Sequence, residues 1–127
     1  LERLDIPRTF VNGEGDETFL ALCESLRGNT TLQYLDVSGN DVRLDGVCVT
    51  ALKLDTMSLE TLHLDGNAVT SCGIAALGQS FQGPCTLKKL SLKCCQLDDN
   101  GLLKVGEALT TNVSLEVLDM RDKGFTH

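Results

Sequence analysis

The chain has 127 residues, 42% hydrophobic but only 4% aromatic and without Trp, so it suits one ordinary domain with an aliphatic core. Its formal net charge of −7 and isoelectric point near 4.6 give no overall attraction for phosphate backbones or anionic lipid, which argues against nucleic acid or a membrane surface as partner. No apolar run approaches the roughly 20 residues of a spanning helix, and no signal-peptide pattern is present.

Self-similarity organises the chain. Leucines restart a pattern at Leu1, Leu32, Leu59, Leu87 and Leu115. The later spacings are close to about 28 residues and the first is a little longer. The segments LERLDIPRTFV, LQYLDVSGNDV, LETLHLDGNAV, LKKLSLKCCQL and LEVLDMRDKGF each fit L-x-x-L-x-L-x-x-N/C-x-L. The second apolar column is Leu4, Leu35, Leu62, Leu90 and Leu118; the third is Ile6, Val37, Leu64, Leu92 and Met120. The Asn/Cys column holds Asn40, Asn67 and Cys95, but Thr9 and Lys123 depart from it. The chain opens on a repeat residue and stops inside another repeat. We read residues 1–127 as one repeat domain, its last repeat partial from 115, cut from a longer array.

In chain order, the first repeat opens with a period-two strand that turns Leu4 and Ile6 inward and Arg3, Asp5 and Pro7 outward. The loop Asn12-Gly13-Glu14-Gly15-Asp16 is glycine-rich but lacks the lysine of a phosphate loop, and its acids repel phosphate. A helix follows Asp16, with Phe19, Leu22 and Leu26 on one face and Gly28 closing it. The second repeat has its strand at Leu35, its turn at Asn40 and a less regular helix in which Val47, Ala51 and Leu54 face inward and Thr50 interrupts. The third places Gly73, Ile74, Leu77 and Phe81 on a helix capped by Ser71 and ended by Gly83. In the fourth, Cys95 replaces the turn Asn, and Leu102, Val105 and Leu109 share a helical face after an aspartate cap. The turn asparagines are expected to stack into a ladder on backbone groups that the bend leaves unpaired.

A spacing near 28 with a full helix in each unit resembles the ribonuclease-inhibitor class of leucine-rich repeats. The resemblance rests on the columns above, on Gly46-Val47, Gly73-Ile74 and Gly101-Leu102 at helix starts, and on Asn29-Thr30-Thr31-Leu32 echoed by Asn112-Val113-Ser114-Leu115. It implies an α/β right-handed solenoid, a horseshoe arc with a parallel sheet on the concave face and helices on the convex face. It also implies protein recognition rather than catalysis, with no cofactor. The alternative within the class is a regulatory or autoinhibitory segment of a larger NOD-like sensor or GTPase regulator.

The outward strand positions form three columns: Arg3, Tyr34, Thr61, Lys89 and Val117; Asp5, Asp36, His63, Ser91 and Asp119; Pro7, Ser38, Asp65, Lys93 and Arg121. Candidate partner-binding residues are Tyr34, Asp36, His63, Asp65, Lys89, Lys93, Asp119 and Arg121. Tyr34, the single Tyr, is an anchor candidate. Asp36 and Asp65 give an acidic half, and Lys89, Lys93 and Arg121 a basic half.

Other chemistry is weakly supported. His63 with Asp36, Asp65 and Ser91 has the residue types of a hydrolase but no evident oxyanion hole. Cys94, His63 and Asp65 lack zinc spacing. The cysteines Cys23, Cys48, Cys72, Cys85, Cys94 and Cys95 include no C-x-x-C pair, and Cys94 and Cys95 point to opposite faces of extended backbone. We expect reduced thiols and an intracellular, cytoplasmic setting. The two glycosylation sequons, at Asn29 and Asn112, fall at repeat junctions, where a turn role suffices.

Overall fold

The computed structural model describes residues 2–9, 15–54, 58–82, 85–110 and 114–121. Five short strands, β1 (Arg3–Asp5), β2 (Tyr34–Asp36), β4 (Thr61–His63), β6 (Lys89–Ser91) and β7 (Val117–Asp119), form one parallel sheet in the order β1-β2-β4-β6-β7. The register keeps each repeat column in line: Leu4 beside Leu35, Leu35 beside Leu62, Leu62 beside Leu90 and Leu90 beside Leu118. Helices α1 (Gly15–Leu26), α2 (Gly46–Ala51), α3 (Ser71–Gln82) and α4 (Asp99–Leu109) alternate with these strands. Each helix packs against the next, as crossovers between neighbouring parallel strands require. The result is an α/β repeat solenoid.

The core is aliphatic and continuous. Leu32, Leu35, Val37, Leu59, Leu62, Leu64, Leu87, Leu90 and Leu92 from the strand segments meet Phe19, Leu26, Val49, Leu52, Ile74, Leu77, Phe81 and Val105 from the helical side. The end columns are less covered: Leu4, Ile6, Leu118 and Met120 are only partly buried.

The polar ladder at the turns is present. Asn40 donates from Nδ2 to the carbonyls of Ile6 (2.9 Å) and Val37 (2.8 Å). Asn67 repeats the motif one coil on, to Val37 and Leu64 (both 3.1 Å). Cys95 donates from Sγ to Leu64 (3.3 Å) and Lys93 (3.6 Å). The amide oxygens work in the other direction: Asn40 Oδ1 accepts from Thr9 N (2.6 Å), and Asn67 Oδ1 accepts from Asn40 N (3.1 Å) and Val42 N (3.0 Å). Thr9 stands in the ladder column, donating its backbone N–H to Asn40 and its hydroxyl to the Pro7 carbonyl of its own turn (3.0 Å).

The residue before each ladder position is left-handed: Arg8 (φ 52°), Gly39 (φ 68°), Gly66 (φ 70°) and Cys94 (φ 57°). Glycine adopts this conformation without a Cβ penalty, whereas Arg8 and Cys94 carry the strain of a side chain there. The turn also corrects the expectation for the adjacent cysteines. Cys94 is exposed and Cys95 buried because the chain bends at Cys94, not because it is extended.

After the turn a second parallel ladder joins β3 (Arg43–Leu44) to β5 (Ala68–Val69). Sequence patterning did not announce it, since two residues carry no readable periodicity. It extends through Val69 N to Cys95 O at 3.3 Å.

The expected inward residues Phe19, Leu26, Leu54, Ile74, Leu77 and Phe81 are buried, and the departures are local. In α2, Val47 is 67% exposed rather than inward, while Cys48, Val49 and Leu52 are buried. The cap sets this. Asp45 Oδ1 accepts from Cys48 N (3.0 Å), as Asp98 Oδ1 accepts from Gly101 N (2.7 Å). At α3 the capping hydroxyl is Thr70, not Ser71, accepting from Gly73 N at 3.1 Å. Alignment on these caps puts Cys48-Val49, not Gly46-Val47, beside Gly73-Ile74 and Gly101-Leu102. Asp16 lies in the first turn of α1, and its Oδ1 accepts from Arg43 N at 2.6 Å. In α4, Val105 is buried but Leu109 is 39% exposed. Gly28 does follow α1 in the left-handed conformation, with φ 80°. The proposed stop at Gly83 and most of the Asn12–Asp16 loop lie outside the described residues.

Two stability predictions follow from these contacts. A Cβ at Gly73 would sit on the Leu44 carbonyl oxygen, whereas one at Gly106 meets nothing within 4 Å. Gly73→Ala is therefore expected to lower urea stability by about 1–3 kcal/mol through overpacking, and Gly106→Ala to raise it by about 0.5–1 kcal/mol through helix propensity. Equal shifts of the same sign would refute the packing argument. Asn67→Leu strands buried backbone groups on both sides and is expected to cost about 3 kcal/mol or more, with Asn67→Cys falling between because it keeps a weak donor. A neutral Asn67→Leu in the same titration would remove the ladder from the account of stability.

Candidate functional site

The outward side of the sheet carries every candidate residue. On β1 and β2 the Arg3 guanidinium lies 3.7 Å from the Tyr34 ring centroid and reaches Asp5 at 3.3 Å. This combines a cation–π contact with an ion pair and holds the ring in place. The His63 ring on β4 follows, 5.3 Å from Tyr34 and tilted by 49°. Burial, then the neighbouring Asp36 carboxylate, push the Tyr34 phenol above its ordinary value. Asp36 Oδ1 accepts from the backbone of Ser38 at 2.9 Å.

Asp65 joins the central strands. Its Oδ1 accepts from Ser91 Oγ (2.6 Å) and Lys93 N (2.7 Å), and its Oδ2 lies 3.8 Å from His63 Nδ1. Ser91, an outward position by alternation, is consequently 1% exposed. Its hydroxyl proton goes to Asp65 rather than to His63, so the nucleophile–base pairing of a hydrolase is not assembled. Among the described residues, no group of three His, Cys, Asp or Glu side chains could hold a metal ion.

At the far edge Arg121 grips Asp119 through two contacts, Nε to Oδ1 (3.1 Å) and Nη2 to Oδ2 (2.9 Å). The Arg121 hydrogen bond holds the Asp119 carboxyl below its ordinary value and is in turn the main reason the guanidinium is raised. The structure thus brings Tyr34, Asp36, His63 and Asp65 into one contiguous group. Lys89 and Lys93 come from β6 and the turn after it, and Asp119 and Arg121 pair with each other.

One feature lay outside the sequence reading. Residues just ahead of the strands, Gln33, Ser58, Glu60, Thr86, Lys88 and Ser114, line a shallow groove of about 370 Å³ along the N-terminal ends of the strands. Glu60 and Lys88 meet across it at 3.4 Å. Gln33, Glu60 and Lys88 each follow a repeat leucine, so the repeat itself carries the signal for this row.

The sequence profile of the Leucine Rich repeat family matches residues 28–47, 57–78 and 83–106, just over half of the chain. This chain belongs to the leucine-rich repeat family. It is 32% identical over 123 residues, 94% of its length, to human "NACHT, LRR and PYD domains-containing protein 12", of which it spans 11%. Its fold is similar to that of leiomodin-1 actin-binding site 2, with a TM-score of 0.80, 17% identity, and coverage of 95% of this chain and 70% of that one.

The six thiols of this leucine-rich repeat chain are free. Burial pushes Cys23 and Cys95 up to about 12 and Cys48 to about 11, from an ordinary 9.0. Unfolding releases these thiols to ionise at the lower value. Their burial therefore contributes stability that is fully present below pH 9 and is lost as pH rises toward the folded values. The same burial makes them poor nucleophiles. Iodoacetamide at mildly alkaline pH is expected to alkylate exposed Cys72 and Cys94 first and to leave Cys23, Cys48 and Cys95 unmodified until the chain unfolds. Peptide mapping by mass spectrometry checks this; early labelling of Cys95 would contradict its place in the core.

Proposed function

We propose that this chain is a protein-binding repeat module, non-enzymatic, whose outward strand face receives a protein partner. The observation that carries the reading is the continuous row of polar and aromatic side chains, from Tyr34 and Asp36 through His63 to Lys89, standing on a sheet whose other face is locked into the core. Fixed side chains bind with less entropy loss than mobile ones. Strands pack about 4.8 Å apart and helices about 10 Å, which supports a bend that makes this face concave. The repeat spacing near 28 supports the ribonuclease-inhibitor-like subclass and the reading of residues 1–127 as one repeat domain. The free thiols support an intracellular setting. No helix among the described residues is long and apolar enough to cross a membrane.

A second reading has one specific support. The likeness to a human protein named for NACHT, LRR and PYD domains fits a regulatory repeat segment within a larger chain. Attachment to a nucleotide-binding domain in the full-length sequence would favour it.

Affinity capture tests the main reading. Thr61→Arg places a long side chain at the centre of the strand face, and Gln79→Arg alters an exposed position of α3. Proteins retained by the unaltered chain, quantified by mass spectrometry, are expected to fall about tenfold or more with Thr61→Arg and to persist with Gln79→Arg. The opposite pattern would move binding to the helical side.

A further inference from the structure

The outward charges are partly consumed within the chain, and what remains is ordered. On β1, β2 and β4, with the turn after β4, one guanidinium, Arg3, faces three carboxylates, Asp5, Asp36 and Asp65. On β6 and β7, with the residues just after them, three cations, Lys89, Lys93 and Arg121, face one carboxylate, Asp119. Ion pairing cancels the outermost charges: Arg3 takes Asp5 (3.3 Å) and Arg121 takes Asp119 (2.9 Å). Among the described residues, Asp36, Lys89 and Lys93 form no ion pair. Lys93 is near enough to Asp119 to help hold its carboxyl down, but that carboxylate is already bound through both oxygens to Arg121. The surplus is therefore negative at β2 and positive at β6, with Thr61 and His63 of β4 between them.

Given that the strand face binds protein, we infer that it selects a segment that crosses the strands and carries a cationic and an anionic side chain about 10 Å apart. The cation stands over Asp36, and the anion over Lys89 and Lys93. On β6 the position level with Asp36 is Ser91, two strand spacings away at about 4.8 Å each, and Lys89 and Lys93 lie two residues to either side of it; an anion held between the two lysines is therefore about 10 Å from Asp36, which a helix matches between residues i and i+7, about 10.5 Å apart. The cation lands near the Tyr34 ring, which Arg3 covers at 3.7 Å. A wholly basic segment would meet Lys89 and Lys93, and a wholly acidic one Asp36 and Asp65, so like charges exclude both.

A phage-displayed library of helix-forming peptides, randomised at positions i and i+7 and their surroundings, tests this when selected on the whole chain. Peptides with Arg or Lys at one position and Asp or Glu at the other are expected to be enriched about tenfold or more over the unselected library. Selection on Asp36→Lys is expected to yield acidic residues at both positions, and selection on the Lys89→Glu, Lys93→Glu double variant basic residues at both. Circular dichroism confirms that these surface variants keep the fold. Single-sign or uncharged pairs from the unaltered chain, or unchanged mixed pairs from Asp36→Lys, overturn the inference. Thr61→Arg separates this failure from that of the binding reading. Peptides that Thr61→Arg abolishes, but that show no charge pairing, sink the inference alone. Peptides indifferent to Thr61→Arg, or no enrichment at all, sink both.

Discussion

The structure depends on one recurring interaction, in which a buried side chain at the turn, Asn40, Asn67 or Cys95, bonds the backbone of its own coil and of the coil before it. Asn67 alone gathers the carbonyls of Val37 and Leu64 and the N–H groups of Asn40 and Val42. A bend inside a core would otherwise leave these groups without partners, each at a cost of about 1–3 kcal/mol. Because every rung spans two coils, it fixes their relative height as well as the turn. The strand register, Leu35 beside Leu62 and Leu62 beside Leu90, is consistent with that spacing. Cys95 sustains the donor half of the function with a thiol, bonding Leu64 and Lys93 over longer distances.

The sheet was legible because its signal is redundant. Each strand position is repeated in register across the coils, so an error at one coil is corrected by its neighbours. The inward faces of α1 and α3 were legible too, but the phase of α2 was not. Alignment on Gly46-Val47 matched residue types, but helix phase is set by the N-cap bond of Asp45 to Cys48 N. That single contact rotates Val47 outward and brings Cys48 and Val49 in. A cap is a local event, and its residue can be Asp or Thr, as at Asp98 and Thr70, so the column looks irregular although the geometry is conserved between coils. The two-residue ladder β3–β5 escaped for a different reason: it is created by neighbouring coils and has no sequence period of its own.

The candidate face was readable in position but not in chemistry. Alternation placed Ser91 outward, yet Asp65 folds over it and buries the hydroxyl. Alternation likewise counted Arg121 as a free cation, whereas Asp119, two residues earlier on the same side of the strand, neutralises it. Such i, i+2 pairs are a natural consequence of strand geometry, since side chains two apart share a face. Arg3 and Asp5 repeat the arrangement at the opposite edge. Formal charge along a column therefore overstates what a partner meets, and it does so most at the edges.

This pairing changes what the face can discriminate. Each exposed ion pair on such a face contributes about 1 kcal/mol or less. Selectivity must come from the pattern of several weak contacts held at fixed spacing. The ladder beneath the turns supplies the spacing, and the cation–π contact of Arg3 with Tyr34 fixes that ring on the strand face. With the edge charges satisfied internally, the uncompensated carboxylate at Asp36 and amines at Lys89 and Lys93 lie toward the centre, flanking β4. There a partner excludes water most completely, and a mismatched charge is penalised most. The same repetition that makes the fold predictable thus leaves recognition to the few positions where the coils differ.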